Sequence, residues 1–554
     1  MDHNYINFKH DGLIVKLIYQ YLAHALHLDF VNSYQTPRLD MEVMTAAVLV
    51  AAAVAVAVYG WRFLKFVWLL PKAMEKSLRE QGLNGNHYRF MVGDMKEMVQ
   101  MTNEAKLKPI KLTDSILPRV MPFYYACANT HGSNMFFTWM GPKPMVHVTE
   151  PQLIRQILAD YNQFQKPKFG NPLASLLAKG LVDADADQWV KHRKIINPAF
   201  HVEKLKHMLP AFYISCNEMI NKWEGITKGG SGEVDVYPHL QTMTSDVISR
   251  TAFGSSYEEG RKIFELQVEQ ATLVIKAMQS IYIPGSQFLP TKRYKRMMEI
   301  EREVKSTIKK IINKRLKETT ESTKEDLLGL LLDSNDKEIK QQGNNKFGLS
   351  IDEVIEECKL FYFAGQETTA NLIAWTMILL CQHTNWQDRA RAEVFKMFGD
   401  RKPDIDGLNH LKTINMIFHE VLRLYPPGVG LWRMIHEETK VGNLTLPSGS
   451  HLTLHMMLLH YNADIWGDDV NEFNPERFNE GVSNATKEQA SYFPFGGGPH
   501  ICIGQNFALL EAKLALVMIL RRFSFELSPS YSHAPHIILT LQPQFGAQLI
   551  LNEL

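Results

Sequence analysis

The chain has 554 residues, of which 45% are hydrophobic, 10% aromatic and 21% charged. That is ordinary globular composition, and it excludes collagen-like, disordered and coiled-coil readings. Sixty basic side chains against 59 acidic ones leave a net charge of +1, which gives no support to nucleic-acid binding. The 5 cysteines are dispersed, with no C-x-x-C pair, so neither a disulfide scaffold nor a zinc cluster is expected.

In chain order, Leu13–Val31 is apolar but carries Lys16, His24, His27 and Asp29, which reads as a weak interfacial helix. Met41 and Met44 are each sensible starts, so residues 1–42 are read as an extension that is dispensable or precedes the true start. From Val43 to Trp61 the chain carries no charge and is mostly Ala and Val. As a helix at ~1.5 Å per residue this run spans about 30 Å, the thickness of a bilayer's hydrocarbon core, and it has no polar face for water. Arg62, Lys65, Lys72, Lys76 and Arg79 follow it, against Arg38 alone nearby before it. Positive-inside asymmetry then places the remainder in the cytosol. The expected organisation is a transmembrane anchor at 43–61, a basic linker at 62–85 and one catalytic domain at 86–554.

That domain reads as mainly helical with small β-sheets, an α+β architecture. β-like runs are expected near Met135–Val148, Lys440–Leu454 and Ile537–Leu551. Two polar stretches, Gly225–Glu233 and Glu318–Phe347, read as surface loops. Ser350 and Glu353 form a capping box that starts a mostly apolar helix running to about His383. Halfway along sits Ala364-Gly365-Gln366-Glu367-Thr368-Thr369. A glycine, a charge and two threonines in a buried helix are costly, so a site is expected there.

The strongest signal is Phe495-Gly496-Gly497-Gly498-Pro499-His500-Ile501-Cys502-Ile503-Gly504, just ahead of a helical run from Gln505. A glycine-rich turn lets backbone approach a large flat ligand, and a helix N-terminus favours a thiolate. A single cysteine is more often an inert buried hydrophobe; F-x-x-G-x-x-x-C-x-G before a helix reverses those odds. His451 and His455 are four apart on a strand-like run, a spacing that makes no metal clamp.

The cysteine loop, the A-G-x-E-T helix, Glu420-x-x-Arg423 and Pro475-Glu476-Arg477-Phe478 occur together and in order. The chain thereby resembles the cytochromes P-450. More narrowly, FAGQETTA, LRLYPP, GDDVNEFNPERF and CIGQNFALLEAK look like the plant subfamily that contains secologanin synthase and several triterpene oxidases. The resemblance runs from about Met41 to Leu554.

It implies the P-450 fold and a haem b cofactor whose iron takes the Cys502 thiolate as axial ligand, a ligand that favours O–O cleavage. Phe495 and Gly504 belong to the same loop. Trp189 and Arg193, four apart on one helix face, match the family's haem-propionate contacts, as does Arg433. The position two before the cysteine is usually Arg; here it is His500, a propionate donor whose charge would depend on pH. Glu420, Arg423 and Arg477 are implied to form a structural triad bracing the cysteine loop. Glu367 and Thr368 are implied to deliver the protons that reductive O2 scission consumes, whereas the plain reading of Thr368 is a bond back to the carbonyl four residues earlier. Gly365 would ease a local opening of the helix. Val429, Gly430, Leu431 and Trp432 are implied pocket residues.

The resulting expectation is a single-pass endoplasmic reticulum monooxygenase. It would take electrons from an NADPH-dependent flavoprotein reductase, since the chain shows no dinucleotide fingerprint, and oxidise a terpenoid-like substrate with O2. Lys191, Arg193, Lys194, Lys204 and Lys206 read equally as a landing face for an acidic redox partner or as a solvated face. The alternatives are a same-fold enzyme that rearranges hydroperoxides and a non-catalytic haem- or terpenoid-binding membrane protein.

Overall fold

The computed structural model describes residues 37–132, 134–167, 172–177, 179–184, 186–254, 257–278, 291–317, 326–486 and 491–554. The helix expected at Leu13–Val31 lies outside them. The chain divides into two units, Met1–Leu69 and Leu70–Leu554.

In the first unit an α-helix over Pro37–Leu64 passes into a π-helical turn at Lys65–Leu69. The helix outruns the uncharged stretch at both ends because Pro37 is tolerated in a first turn and no breaker follows until Pro71. Val48, Leu49, Val50 and Val56 are 65, 68, 63 and 73% exposed. Such an apolar surface calls for lipid rather than water. Among the described residues one helix is long and apolar enough to cross a membrane, and it contains this stretch.

The second unit is mostly helical with small sheets. Its strands are β1 (Met135–Met140), β2 (Lys143–Val148), β3 (Phe164–Gln165), β4 (Ser231–Asp235), β5 (Leu431–Ile435), β6 (Thr439–Val441), β7 (Leu444–Leu446), β8 (His451–Leu454), β9 (Phe523–Leu527), β10 (Pro535–Ile538), β11 (Thr540–Pro543) and β12 (Gln548–Glu553). They form a sheet ordered β1-β2-β8-β5-β3, a sheet β4-β12-β9, and the pairs β10-β11 and β6-β7. All three expected β regions contain strands. The stretch Gly225–Glu233, read as a loop, instead runs into β4, whose Val234 is buried against β12. Likewise Glu318–Phe347 contains a helix, Leu327–Gln342. Leu327, Leu328 and Leu331 carry it into the core, outweighing the polar composition around them.

The organising element is the helix Ile351–Gln382. Its capping box is closed both ways: Glu353 N donates to Ser350 Oγ at 3.2 Å, and Ser350 N donates to Glu353 Oε2 at 2.8 Å. It packs against the helices Val236–Phe253, Lys292–Lys317, Lys412–Leu424 and Gln505–Arg522. Burial is nearly unbroken along it except at Leu360, Phe363, Ala364, Gly365 and Thr368. Leu360, Ala364 and Thr368 are four apart, which is one stripe of a helix. An accessible alanine in the middle of a core helix marks a cavity on that stripe.

Candidate active site

The cysteine loop is tightly folded. Cys502 N donates to the Phe495 carbonyl at 2.9 Å and Ile501 N to that of Gly498 at 3.1 Å. Gly496 and Gly498 have φ of 72° and 64°, and a Cβ on Gly498 would lie 2.1 Å from the Leu158 carbonyl oxygen. No side chain fits there, so the glycine is required by both conformation and space. Cys502 then precedes the helix Gln505–Arg522, capped at Gly504. It is accessible, yet desolvation by surrounding protein raises its thiol pKa. Accessible surface that is also desolvated belongs to a recess, not to the open exterior.

Trp189 and Arg193 lie on the helix Ala186–Ile196 and both touch this loop. The Trp189 ring stands edge-on to His500 with centroids 4.1 Å apart, and Arg193 Nη1 donates to the Ile501 carbonyl at 2.9 Å. Arg433 comes from β5, where it pairs with Leu452 of β8. It is buried, donates from Nη1 to the Trp432 carbonyl at 2.8 Å, and leaves Nε without a partner. Burial pulls its guanidinium down to about 10.

A third cation, Lys166, completes the group. β3 pairs with β5 through Phe164↔Ile435 and Gln165↔Met434, and the same register carries the next residue, Lys166, to the Arg433 position. Burial first, then the Arg433 charge, pulls the Lys166 ammonium down to about 8. Among the described residues no carboxylate forms an ion pair with Lys166, Arg193 or Arg433; they donate instead to the carbonyls of Leu181, Ile501 and Trp432. His500 sits within this field. Burial, with Lys166, Arg433 and Arg193 behind it, pulls its pKa to about 3, so its imidazole is neutral at physiological pH, and neither ring nitrogen has a partner. Three desolvated cations that bond to carbonyls, with Asp183 and Glu357 acting on Lys166 only through their charge and with orphaned donors at the edge, fit a ligand that brings carboxylates of its own. The recess beside Cys502 and this cluster therefore fit a haem, which Cys502 would hold through its thiolate and Lys166, Arg193 and Arg433 through its carboxylates. Lys166 has no sequence signal, because its partner is remote along the chain and only the strand register joins them.

Glu420, Arg423 and Arg477 meet in the interior. Arg423 Nε donates to Glu420 Oε2 at 2.8 Å and Nη2 to Oε1 at 2.7 Å, with both side chains fully buried. Arg477 Nε reaches Glu420 Oε1 at 3.4 Å. The remaining Arg423 donors go to the carbonyls of His460, Val470 and Glu472. His460, absent from the sequence reading, ties this group to the loop, since its Nε2 accepts from Phe493 N at 3.2 Å.

Glu367 and Thr368 part company. Thr368 Oγ1 donates to the Ala364 carbonyl at 2.9 Å, the plain helix bond, leaving its lone pairs toward the cavity stripe. Glu367 is buried on another face, where its Oε2 accepts from Thr540 Oγ1 at 3.1 Å and burial raises its carboxyl pKa. A Cβ on Gly365 would meet Ile248 Cγ1 at 2.9 Å, so this glycine permits close approach of the helix Val236–Phe253. Leu431 lies beside the cysteine loop, its Cδ1 3.6 Å from where a Gly496 Cβ would be. Val429 offers its carbonyl to Met457 N at 3.1 Å, and Trp432 is 45% exposed on the opposite side of β5. Sequence reasoning also missed Leu539, which joins Phe363, Leu173, Leu176 and Leu273 around a second apolar cluster. His451 and His455 are both buried, and His455 Nε2 lies 2.8 Å from His147 Nδ1 within an aromatic cluster. A separate cleft, lined by Ser215, Glu218, His239 and Arg250 among others, holds none of these residues.

The family model described as Cytochrome P450 matches residues 119–548. Cytochrome P450 CYP72A219 of Panax ginseng is 62% identical over 507 residues, covering 91% of this chain and 98% of the relative. Secologanin synthase 1 of Catharanthus roseus is 51% identical over 521 residues, covering 93% and 99%. The 7-deoxyloganic acid hydroxylase of the same plant is 51% identical over 522 residues, covering 93% and 100%. Among solved structures, a retinoic acid-bound cyanobacterial CYP120A1 aligns with a TM-score of 0.70 at 23% identity, covering 85% of this chain and 99% of that one. At that identity the likeness speaks for the fold.

Proposed function

Since the chain belongs to the cytochrome P450 family, and is with it a haem-thiolate monooxygenase, we propose that Cys502 supplies the thiolate and that the substrate is a terpenoid-like small molecule. The observation that carries the site assignment is the recess at Cys502 flanked by Arg193, Arg433 and Lys166, cations that have no ion-paired carboxylate among the described residues. The substrate class rests on relatives named for secologanin and 7-deoxyloganic acid over nearly their full length.

When bound, a thiolate-ligated haem supplies reductive activation of O2, so that one oxygen atom enters a C–H bond and the other leaves as water. The chain's residues prepare the surroundings. Arg193, Arg433 and Lys166 would hold the carboxylates, and neutral His500, packed on Trp189, would offer a ring N–H. Glu420, Arg423, Arg477 and His460 fix the loop that carries Cys502. Thr368 keeps hydroxyl lone pairs at the cavity, where they would order a water, and Glu367, whose carboxyl pKa burial raises, is placed one residue away to hold a proton. Leu431, beside the cysteine loop, adds apolar surface that excludes water.

Electrons come from a redox partner, which we read as an NADPH-dependent flavoprotein reductase. The exposed apolar helix in Pro37–Leu64 would hold the enzyme on a membrane, assigned to the endoplasmic reticulum, with the catalytic unit cytosolic.

The test is a reduced carbon-monoxide difference spectrum of membranes carrying the full chain, followed by turnover with a terpenoid panel that includes 7-deoxyloganic acid. A thiolate-type Soret band that Cys502→Ala abolishes supports the ligand assignment. The same band in Cys502→Ala overturns it. Failure of every terpenoid, with a normal band, would overturn the substrate class alone.

A further inference from the structure

We propose that Thr540 is a positioning residue for Glu367, the last link of a hydrogen-bonded brace running from Tyr237 through Asn371, and that this brace decides which Glu367 oxygen carries the acid proton. The inference rests on the reading of Glu367 as a proton store.

Asn371 lies four residues after Glu367 on the same helix, so both face one side, and Asn371 is fully buried. Thr540 reaches them from β11. It follows Leu539, the single residue at the tip of the β10–β11 hairpin, where Ile538 pairs with Thr540. Leu539 has φ of 63°, a left-handed conformation that a branched side chain adopts only when its surroundings hold it there. The second apolar cluster does so, and the aim of Thr540 is thereby set by the hairpin tip rather than by a flexible loop.

The direction of each bond is fixed by which atom owns a proton. Thr540 Oγ1 donates to Glu367 Oε2 at 3.1 Å and accepts from Asn371 Nδ2 at 3.1 Å. Asn371 Oδ1 accepts from the Tyr237 hydroxyl at 2.9 Å. Tyr237 oxygen accepts from Gln241 Nε2 at 3.2 Å and lies 2.7 Å from the amide oxygen position of Gln542. A phenol has one proton. If it goes to Asn371, the Gln542 amide must present its NH2 group to Tyr237. Every donor then points toward Glu367 Oε2. In the protonated carboxyl group the oxygen that accepts such a bond is the carbonyl oxygen, which leaves the acid proton to Oε1.

An amide cannot pass a proton along by simple hopping, because Asn371 would have to become an imidic acid. The chain is accordingly a brace and not a wire. It holds one oxygen of Glu367 and leaves the other to exchange its proton.

The proposal is tested in full-length holoenzyme by infrared difference spectroscopy of the protonated-carboxyl C=O stretch, a reading that needs no turnover. Glu367→Gln identifies the band by removing it. Thr540→Val, which keeps shape and loses the donor, should shift that band to higher frequency, and Thr540→Ser should return it. With reductase and NADPH supplied, the peroxide released per NADPH should rise in Thr540→Val and fall back in Thr540→Ser, while the carbon-monoxide spectrum stays unchanged. A Glu367 band that Thr540→Val leaves unmoved overturns the brace and spares the proton-store reading. No band lost in Glu367→Gln means an ionised Glu367 and overturns both.

Discussion

Arg423 covers both oxygens of Glu420, with Nε at 2.8 Å from one and Nη2 at 2.7 Å from the other, and neither side chain has any solvent exposure. The guanidinium is further fixed by backbone carbonyls of the segment that leads to the cysteine loop. Removing the carboxylate strands a buried cation, a loss of roughly 3–5 kcal/mol. Glu420→Ala is therefore expected to abolish haem incorporation. Haem content per protein, read by pyridine haemochrome against total protein, checks this. A normal content in Glu420→Ala removes the triad from the account of the site.

Thr368 spends its proton on the Ala364 carbonyl at 2.9 Å, so in this arrangement it serves the cavity as an acceptor that orders water. Thr368→Ala is expected to lower product per NADPH by about an order of magnitude, with the balance released as peroxide, and Thr368→Ser to recover most of it. Unchanged coupling in Thr368→Ala would show that the hydroxyl is only a helix bond.

What sequence makes legible here is local. The cysteine loop, the Ser350–Glu353 cap and Glu420-x-x-Arg423 are each written within ten residues, and backbone geometry joins their parts. Lys166 is not legible, since it meets Arg433 only through the β3–β5 register. Nor is the turn of Glu367 toward Thr540, 173 positions away; adjacency to Thr368 in sequence suggests a pair that the helix splays by about 100°. Composition misleads where few residues do the packing, as in the helix Leu327–Gln342, whose buried leucines sit in a mostly polar stretch. Gly365 is visible as an oddity, yet its cause, Ile248 on a neighbouring helix, is not.

Lys166 stands with Arg433 and Arg193 around a space that asks for anionic charge. Its ammonium, pulled down to about 8 by burial and those cations, should recover on meeting carboxylates. Lys166→Met is expected to accelerate haem transfer to an excess of apomyoglobin by about tenfold, the loss of about 1.4 kcal/mol in the bound state. Introducing a permanent charge by His500→Arg should slow it. Equal transfer rates for wild type and Lys166→Met would exclude this lysine from the haem site.

Glu511 presents the opposite imbalance, a carboxyl group with no exposure between Cys216 and Thr369, with the Thr369 hydroxyl as its neighbouring donor and no cation paired with it among the described residues. Burial raises its pKa well above the ordinary carboxylate value, so the folded state keeps a proton that the unfolded chain releases. Between the ordinary glutamate value of about 4.3 and its own raised value this group holds a proton that the unfolded chain has released, and its contribution to stability falls as pH rises through that window. Glu511→Gln keeps shape and removes the titration. It is expected to raise the urea midpoint at pH 7.5 by the equivalent of about 1–2 kcal/mol, with the gain shrinking toward pH 5. A variant destabilised equally at both pH values would mean that Glu511 is ionised in the fold and held by a cation or water that the carboxylate needs.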